Sequence, residues 1–415
     1  MHLPPSLRHR RFFAIWLGLM ISIAGSQMQL AALHWHVREL TGEGNPLALG
    51  MIGAARILPV IAFSLIGGAV ADSRQRRSVL FITQSSMALV ALTLALLTFS
   101  GALRLWHIYL LTALQAVAIS FDGPARQAMI PNLLPAKDLP NAFSMTSIAF
   151  NTGAILGPML SGLIIAKMGL AYTYLFNAVS FLAVIGALVI IGRVPQNLSQ
   201  TGGVSLTAVR DGVRFIADHP IILSTMLLDF FATFFSSANT MMPIIARDIL
   251  RVDEFGYGLL SSAQSIGAVA AGMAASQLPA IRRQGPLFLG AVIVFGMATI
   301  LLGLANTFWL AMLALVLIGA ADSLSTIIRN TIRQLQTPDH LRGRMVSINQ
   351  IFFQGGPQLG EVETGVVAQL FGVPFAIVSG GVGCIVAVAI IVRRWPQLRR
   401  YNGDEPSLAG AGAQV

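Results

Sequence analysis

Eight ionisable residues lie deep inside apolar stretches of this chain: Arg56, Asp122, Arg126, Asp229, Asp322, Arg329, Glu361 and Glu363. A charge at the centre of a bilayer costs roughly 2.5–3.5 kcal/mol on insertion scales, so such groups face protein or water rather than lipid. Five acids against three bases leave two carboxylates in surplus. An uncompensated carboxylate in a low dielectric tends to take up a proton. The chemistry within reach of these residues is therefore the binding and release of protons.

Other chemistries find no support. No Gly-x-x-x-x-Gly-Lys-Ser/Thr string occurs, and the only lysines, Lys137 and Lys167, each follow an alanine. Without a phosphate-binding loop, energy must come from a gradient or a partner. The single cysteine, Cys384, excludes an intramolecular disulfide. His34 and His36 point to opposite sides of a helix and the other histidines are scattered, so no metal site is expected. Nothing calls for a cofactor or for an enzyme.

The elements that must position the eight charges are membrane helices. Of the 415 residues, 55% are hydrophobic and 11% charged, with a mean hydropathy of +0.73. That is a polytopic membrane protein. Twelve spans are expected near 12–37, 46–71, 78–100, 105–130, 140–166, 170–192, 220–247, 256–278, 286–305, 307–331, 344–370 and 373–393. The charged start Arg8–Arg11 looks like that of a signal peptide, but the apolar run after it is too long for a cleaved one and reads as a retained first helix. An even number puts both termini in the cytoplasm. The net charge of +10 is of the sign that suits nucleic acid, but its placement is not. Most Lys and Arg lie near ends that alternation makes cytoplasmic, apart from Arg38, Arg104, Lys167, Arg247 and Arg251 near outer ends.

The segment 193–219 carries Pro195 and Gly202-Gly203 and reads as a linker between a six-helix bundle at 1–192 and another at 220–394. Within it, Leu206, Val209, Val213 and Ile216 share one face, which predicts a short surface helix over 205–218. The tail 395–415, rich in Gly, Ala and Pro, is expected to be a disordered cytoplasmic extension. The halves repeat: a shift of 203 residues carries Phe150, Gly153, Gly157, Gly162 and Gly169 onto Phe353, Gly356, Gly360, Gly365 and Gly372. Asn151 falls on Gln354, and the fourth and tenth spans each end in an acid followed by an arginine.

The loop between the second and third spans reads Gly67-Gly68-Ala-Val-Ala-Asp72-Ser73-Arg74-Gln75-Arg76-Arg77-Ser-Val-Leu80. Its Gly-x-x-x-Asp-x-x-x-Arg-Arg spacing resembles the cytoplasmic gate loop of the major facilitator superfamily. Ser73 stands where a basic residue is usual, and Gln75 where glycine is usual. An ordinary arginine-rich inner loop is the alternative. Gly153-x-x-x-Gly157-Pro158-x-x-Ser161-Gly162 in the fifth span is similar to the motif of the antiporter branch, and a plain packing face is its alternative. The mid-span arginine motif of the fourth span is not recognisable; Gln115 stands near its place. Phe121-Asp122-Gly-Pro-Ala-Arg126-Gln-Ala-Met-Ile-Pro131 and Thr337-Pro-Asp-His-Leu-Arg342-Gly-Arg344 resemble the branch that holds enterobactin exporters and macrolide-efflux proteins, called transmembrane secretion effectors. The resemblance covers essentially the whole chain. It implies an all-α fold of twelve spans in two pseudo-symmetric bundles, with a substrate site between them near the midplane. It also implies that Asp122 pairs with the gate-loop Arg76.

Spans three, six, nine and twelve carry no interior charge, which marks them as lipid-facing struts. Polar stripes at helical spacing mark the lining of a cavity: Ser22, Ser26 and Gln29 in the first span; Thr225, Asp229, Thr233, Ser236 and Thr240 in the seventh; Gln350, Gln354, Gln358, Glu361 and Gly365 in the eleventh. Interhelical hydrogen bonding is the alternative for any lone hydroxyl. Asp72, Arg76, Arg77, Asp122 and Arg126, with Gly68, are expected to form a latch at the cytoplasmic side. Arg56 and Glu361 are expected at similar depth, about 15 Å inside the outer ends of their spans, as an ion pair. Asp322 is assigned to Arg329. Asp229 and Glu363 are then left without a base. Glu363 lies on the apolar side of its helix, which makes it the first proton-coupling candidate, ahead of Asp229, with Glu361 a further candidate.

The reading is a secondary active transporter in a bacterial cytoplasmic (inner) membrane, expected as a monomer, exporting amphipathic drug- or siderophore-like molecules by alternating access and driven by protons. The alternatives are a lysophospholipid flippase or a proton-coupled importer of the same fold. A receptor or scaffold has no need of the interior charges. Its partners are a small-molecule substrate, protons and the bilayer, not nucleic acid.

Overall fold

The computed structural model describes residues 4–42, 44–192, 194, 196, 213–277 and 282–403. They are helical, with no strand among them. The long helices are α1 (Arg10–Leu40), α2 (Pro46–Ser73), α3 (Arg76–Phe99), α4 (Leu105–Met129), α5 (Leu139–Met168), α6 (Leu170–Ile191), α7 (Pro220–Phe235), α8 (Glu254–Ser276), α9 (Gln284–Gly303), α10 (Phe308–Leu335), α11 (Asp339–Phe371) and α12 (Val373–Arg394). Among the described residues, eleven helices are long and apolar enough to cross a membrane. The remaining one, α11, is 33 residues long and carries four glutamines and two glutamates at Gln350–Gln369.

Helix ends fall within a few residues of those expected, with one exception. The seventh stretch is not a continuous helix over 220–247. It breaks after Phe235, continues as a 3₁₀ turn at Ala238–Met241, and ends in a π-helical turn at Ile245–Ile249. Hydroxyls at the break compete for the backbone carbonyls: Ser237 Oγ donates to the carbonyl of Thr233 at 2.8 Å and to that of Pro357 at 2.9 Å. Side chains that offer the backbone such local partners weaken a helix.

The internal repeat has a structural counterpart. Gly169 ends α5 with φ +98° and Gly372 ends α11 with φ +90°, and in each case the next helix starts at the following residue. Only glycine takes that conformation without strain, so these two residues fix two equivalent corners. The same shift carries Trp106 onto Trp309, both exposed at the starts of α4 and α10. Tryptophan at such a position suits a membrane–water interface.

Contacts divide the chain into two compact units. One comprises Met1–Gly44, Ala55–Val204 and Arg251–Ser262; the other comprises Asn45–Ala54, Ser205–Leu250 and Ala263–Val415. Each therefore includes one end of a helix whose remainder belongs to the other. In the first unit α1 packs on α5 and α6, and α3 on α4 and α6. Its core joins Phe12, Ile15 and Leu19 to Leu80, Met129, Val184 and Leu188. In the second, α9 packs on α10 and α12, and α7 on α11 and α12.

Of the expected surface helix at 205–218, only the part from 213 lies within the described residues. It is helical, and Ile216 is buried against Ile222, Met226, Met345 and Ile348 of the second unit. The expectation of a disordered tail from residue 395 is corrected as far as Gly403. Pro396–Arg400 forms a helical turn, Leu398 and Tyr401 are buried, and the Gly285 and Arg283 amides donate to the carbonyls of Tyr401 (2.9 Å) and Asn402 (3.1 Å). Two apolar anchors and a run of backbone pairing outweigh the composition. Residues 404–415 lie outside the described residues.

Candidate functional site

In the second unit the charges converge on one cluster between α7 and α10. Arg329 Nη1 lies 3.0 Å from Asp229 Oδ1 and 3.6 Å from Asp322 Oδ1, and donates to Ser325 Oγ at 3.0 Å. Asp229 meets a second arginine, Arg333, whose Nη2 is 3.6 Å from Oδ2. Arg333 is itself anchored by the hydroxyl (3.2 Å) and carbonyl (2.9 Å) of Thr225 on α7 and by the Asn349 side chain on α11. The expected Asp322–Arg329 pair is therefore present, but Asp229 does not lack a base. It lies between two. Arg333, one turn beyond Arg329 on the same face, looked from the sequence like an ordinary basic residue at a span end. Its i,i+4 spacing from Arg329 was the available signal.

A small cavity of about 10 Å³ opens beside the cluster, lined by Thr233, Phe295, Val292 and Ser325 together with Asp229, Asp322 and Arg329. Thr233 Oγ1 donates back to the Asp229 carbonyl at 2.8 Å. Ser236 lies at the α7 break.

In the first unit Asp122 is buried at the end of α4. Arg126, one turn on, reaches it at 2.8 Å, while Thr83 Oγ1 (3.0 Å) and Gln84 Nε2 (2.7 Å) of α3 donate to its other oxygen. The expected Asp122–Arg76 pair is thus corrected: the local i,i+4 arginine takes the carboxylate. Arg76 instead donates to the carbonyls of Ala128 (2.9 Å) at the end of α4 and Ala71 (3.4 Å) at the end of α2. Helix C-termini carry partial negative charge and unpaired carbonyls, and a guanidinium satisfies both. Arg77 Nε donates to the Leu188 carbonyl of α6 at 2.8 Å. The Asp72 side chain lies outside the described residues, as do those of Arg342 and Arg344. Of the glycine pair, Gly67 is pressed against the Ser120 carbonyl, whereas nothing stands near a Cβ at Gly68.

The polar stripe of α1 is only partly a lining. Gln29 is 1% exposed. It donates to Gln115 Oε1 of α4 and accepts from Asn177 Nδ2 of α6, each at 2.6 Å. Gln29 and Gln115 thus join three helices of one bundle. Ser22 is buried as well, and Ser26 half-buried. On α11, Gln354 is half-buried and Gln358 and Glu361 are buried. The first turns of α2 pack there, with Gly53 against the Gln358 carbonyl and the Glu361 side chain. Glu363 is half-buried, and its hydrogen-bond donor among the described residues is the adjacent Thr364, at 3.4 Å. Arg56 belongs to the first unit and Glu361 to the second.

The glycine motif of α5 is a set of close crossings. Gly153 and Gly157 face Ile23, Ala24, Gln27 and Met28 of α1, and Gly162 and the Pro158 carbonyl face Gly258 at the start of α8. Gly365, the repeat partner of Gly162, faces Gly50 on α2 in the same way.

These interior charges and close-packed glycine faces sit in a chain whose residues 3–408 match the family described as transmembrane secretion effector. The chain belongs to that family. It is a multi-pass membrane transporter of the major facilitator fold. Among its curated relatives are the enterobactin exporter EntS of Escherichia coli, 24% identical over 98% of this chain and 96% of the relative, and the staphyloferrin A transporter of Staphylococcus aureus, 26% identical over 93% and 96%. Of solved structures, a bacterial homolog of the human lysosomal transporter Spinster, inward-facing and unoccupied, is similar with a TM-score of 0.75, at 15% identity over 96% of this chain and 99% of that one.

Proposed function

We propose that this transporter exports siderophore-like amphipathic molecules across a bacterial inner membrane, driven by protons moving inward. The observation that carries the reading is the Asp229–Arg329–Asp322 cluster beside a cavity in an otherwise apolar bundle. Charges there raise the cost of folding, and a protein that only holds a partner in place has no use for them. The substrate class is supported by the two near-full-length relatives, one an exporter of enterobactin and one a transporter of staphyloferrin A.

In this reading twelve spans place both termini and the arginine-rich loop at Arg74–Arg77 in the cytoplasm, and the monomer works by alternating access. The inner gate contains Asp72, Arg76, Arg77, Asp122 and Arg126. Its support is the way Arg76 ties the loop to the end of α4 while Asp122 is held by α3. Coupling requires carboxylates that change protonation. Glu363 keeps the properties wanted of one, being half-buried and weakly partnered, whereas Asp229 is held too firmly by two arginines.

The test uses inside-out membrane vesicles with an acidic lumen, supplied with catecholate and hydroxycarboxylate siderophores. Accumulation that collapses on adding a protonophore is expected. Absence of flux for both classes, or flux indifferent to the protonophore, would overturn the proposal.

A further inference from the structure

The two acids that share Arg329 are not equivalent. The Asp229 side chain is 2% exposed and has both arginines against it. The Asp322 side chain is 38% exposed, lines the cavity, and touches Arg329 only loosely, at 3.6 Å. Neutralising Asp229 would take from Arg333 the one carboxylate it meets among the described residues, and leave Arg329 with only the looser contact to Asp322. Neutralising Asp322 leaves Arg329 with Asp229 at 3.0 Å and with Ser325 Oγ at 3.0 Å. Only one of the two can gain or lose a proton while the cluster stays intact.

Depth points the same way. Asp322 is fourteen residues from the start of α10 at Phe308 and thirteen from its end at Leu335, so it lies near the middle of the span, about 20 Å from either end at 1.5 Å per residue. A half-exposed carboxylate at that depth needs an aqueous path rather than lipid beside it. The groups facing it are Asp229 and Thr233 from α7, Val292 and Phe295 from α9, and Ser325 and Arg329 on its own helix, with Arg333 behind Asp229. Among the described residues no other base reaches it.

We infer that Asp322 is a further proton-exchanging carboxylate of the second unit, beside Glu363, with Arg329 as a counter-ion it shares with Asp229. When Asp322 takes up a proton, its carboxylate becomes a neutral carboxyl and Arg329 is left wholly to Asp229; when the proton leaves, Arg329 is shared again. The cluster thus alternates between one proton more and one fewer without any guanidinium losing its last partner. The role in transport rests on the proton-driven reading above, but the titration does not.

Two measurements separate them. In infrared difference spectra of the purified protein across a pH step, Asp322→Asn should remove one titrating carboxyl band and Asp322→Glu should shift it. A wild-type pattern in Asp322→Asn would overturn the inference whatever the protein transports. In proteoliposomes, Asp322→Asn should keep substrate exchange between equal pools and lose at least tenfold of pH-driven accumulation, with thermal stability close to wild type. Uphill accumulation by Asp322→Asn, in a protein whose wild type is protonophore-sensitive, would overturn the inference and leave the proposed function standing. If the wild type shows no proton-driven flux, the proposed function fails and the infrared result still decides for or against Asp322.

Discussion

Arg329 of α10 lies 3.0 Å from Asp229 of α7, and both side chains are almost wholly enclosed. In the first unit the residue equivalent by the internal shift, Arg126, is served instead by Asp122 on its own helix at 2.8 Å. The same shift places Ser26 opposite Asp229 and Asp122 opposite Ser325. The acid has changed helix between the two halves, so one arginine is satisfied locally and the other ties two helices together.

That relationship makes a double substitution informative. Asp229→Ser leaves Arg329 and Arg333 buried without a carboxylate between them, which should cost about 3–5 kcal/mol. Adding Ser325→Asp recreates the arrangement of the first unit and should return a large part of the lost thermal stability in detergent. No recovery in the double variant would show that the acid must come from α7.

The gate loop is tested by Asp72→Asn. Export should be abolished while the protein still elutes as a single folded species by size exclusion. Wild-type export in that variant would exclude Asp72 from the gate.

Gly365→Val should be costly, because a Cβ at Gly365 would stand 2.9 Å from Gly50 Cα and from the Pro46 carbonyl. Overpacking of this kind typically destabilises by about 1–3 kcal/mol. Gly162→Val should behave alike, with a Cβ 2.9 Å from Gly258 Cα. At Gly68, where among the described residues no other part of the chain lies within 4 Å of a Cβ, Ala should be tolerated. Equal melting temperatures for all three variants would contradict the crossings.

Gln29→Leu separates a packing role from a lining role. Interhelical hydrogen bonds in membranes average about 0.6 kcal/mol, so loss of the bonds to Gln115 and Asn177 should lower thermal stability slightly and leave the apparent substrate affinity unchanged. A several-fold change in affinity would place Gln29 in the binding surface.

Glu363→Gln should retain substrate binding and lose uphill export. If this variant concentrates substrate against its gradient, coupling does not require Glu363.

Much of the architecture could be read from the chain because a bilayer leaves few choices for an apolar stretch of twenty residues. The corners at Gly169 and Gly372 were marked by their repeat. The break in α7 was not, since Ser236-Ser237 carries neither glycine nor proline and acts through hydroxyl competition with the Pro357 region far along the chain. Sharing a helix made one pair legible and hid the other, since Asp122 is given to Arg76 although its partner Arg126 stands one turn away. Asp322 and Arg329 were paired from spacing alone. Asp229 meets Arg329 across a hundred residues of sequence, and nothing in either local pattern announces it. Arg76 was given to Asp122 by resemblance, whereas the carbonyl ends of α2 and α4, invisible in a residue string, are what it meets.

The exchange of helix ends between the units bears on how the chain is made. When the first six helices have left the ribosome, the face of α5 at Gly162 still lacks Arg251–Ser262, and the nascent Asn45–Ala54 has no α11 to rest on. The first unit is therefore incomplete when its own half has been synthesised, and part of the second waits in the first half. A gene split in the linker should therefore give two fragments that are short-lived when expressed singly and persist when expressed together.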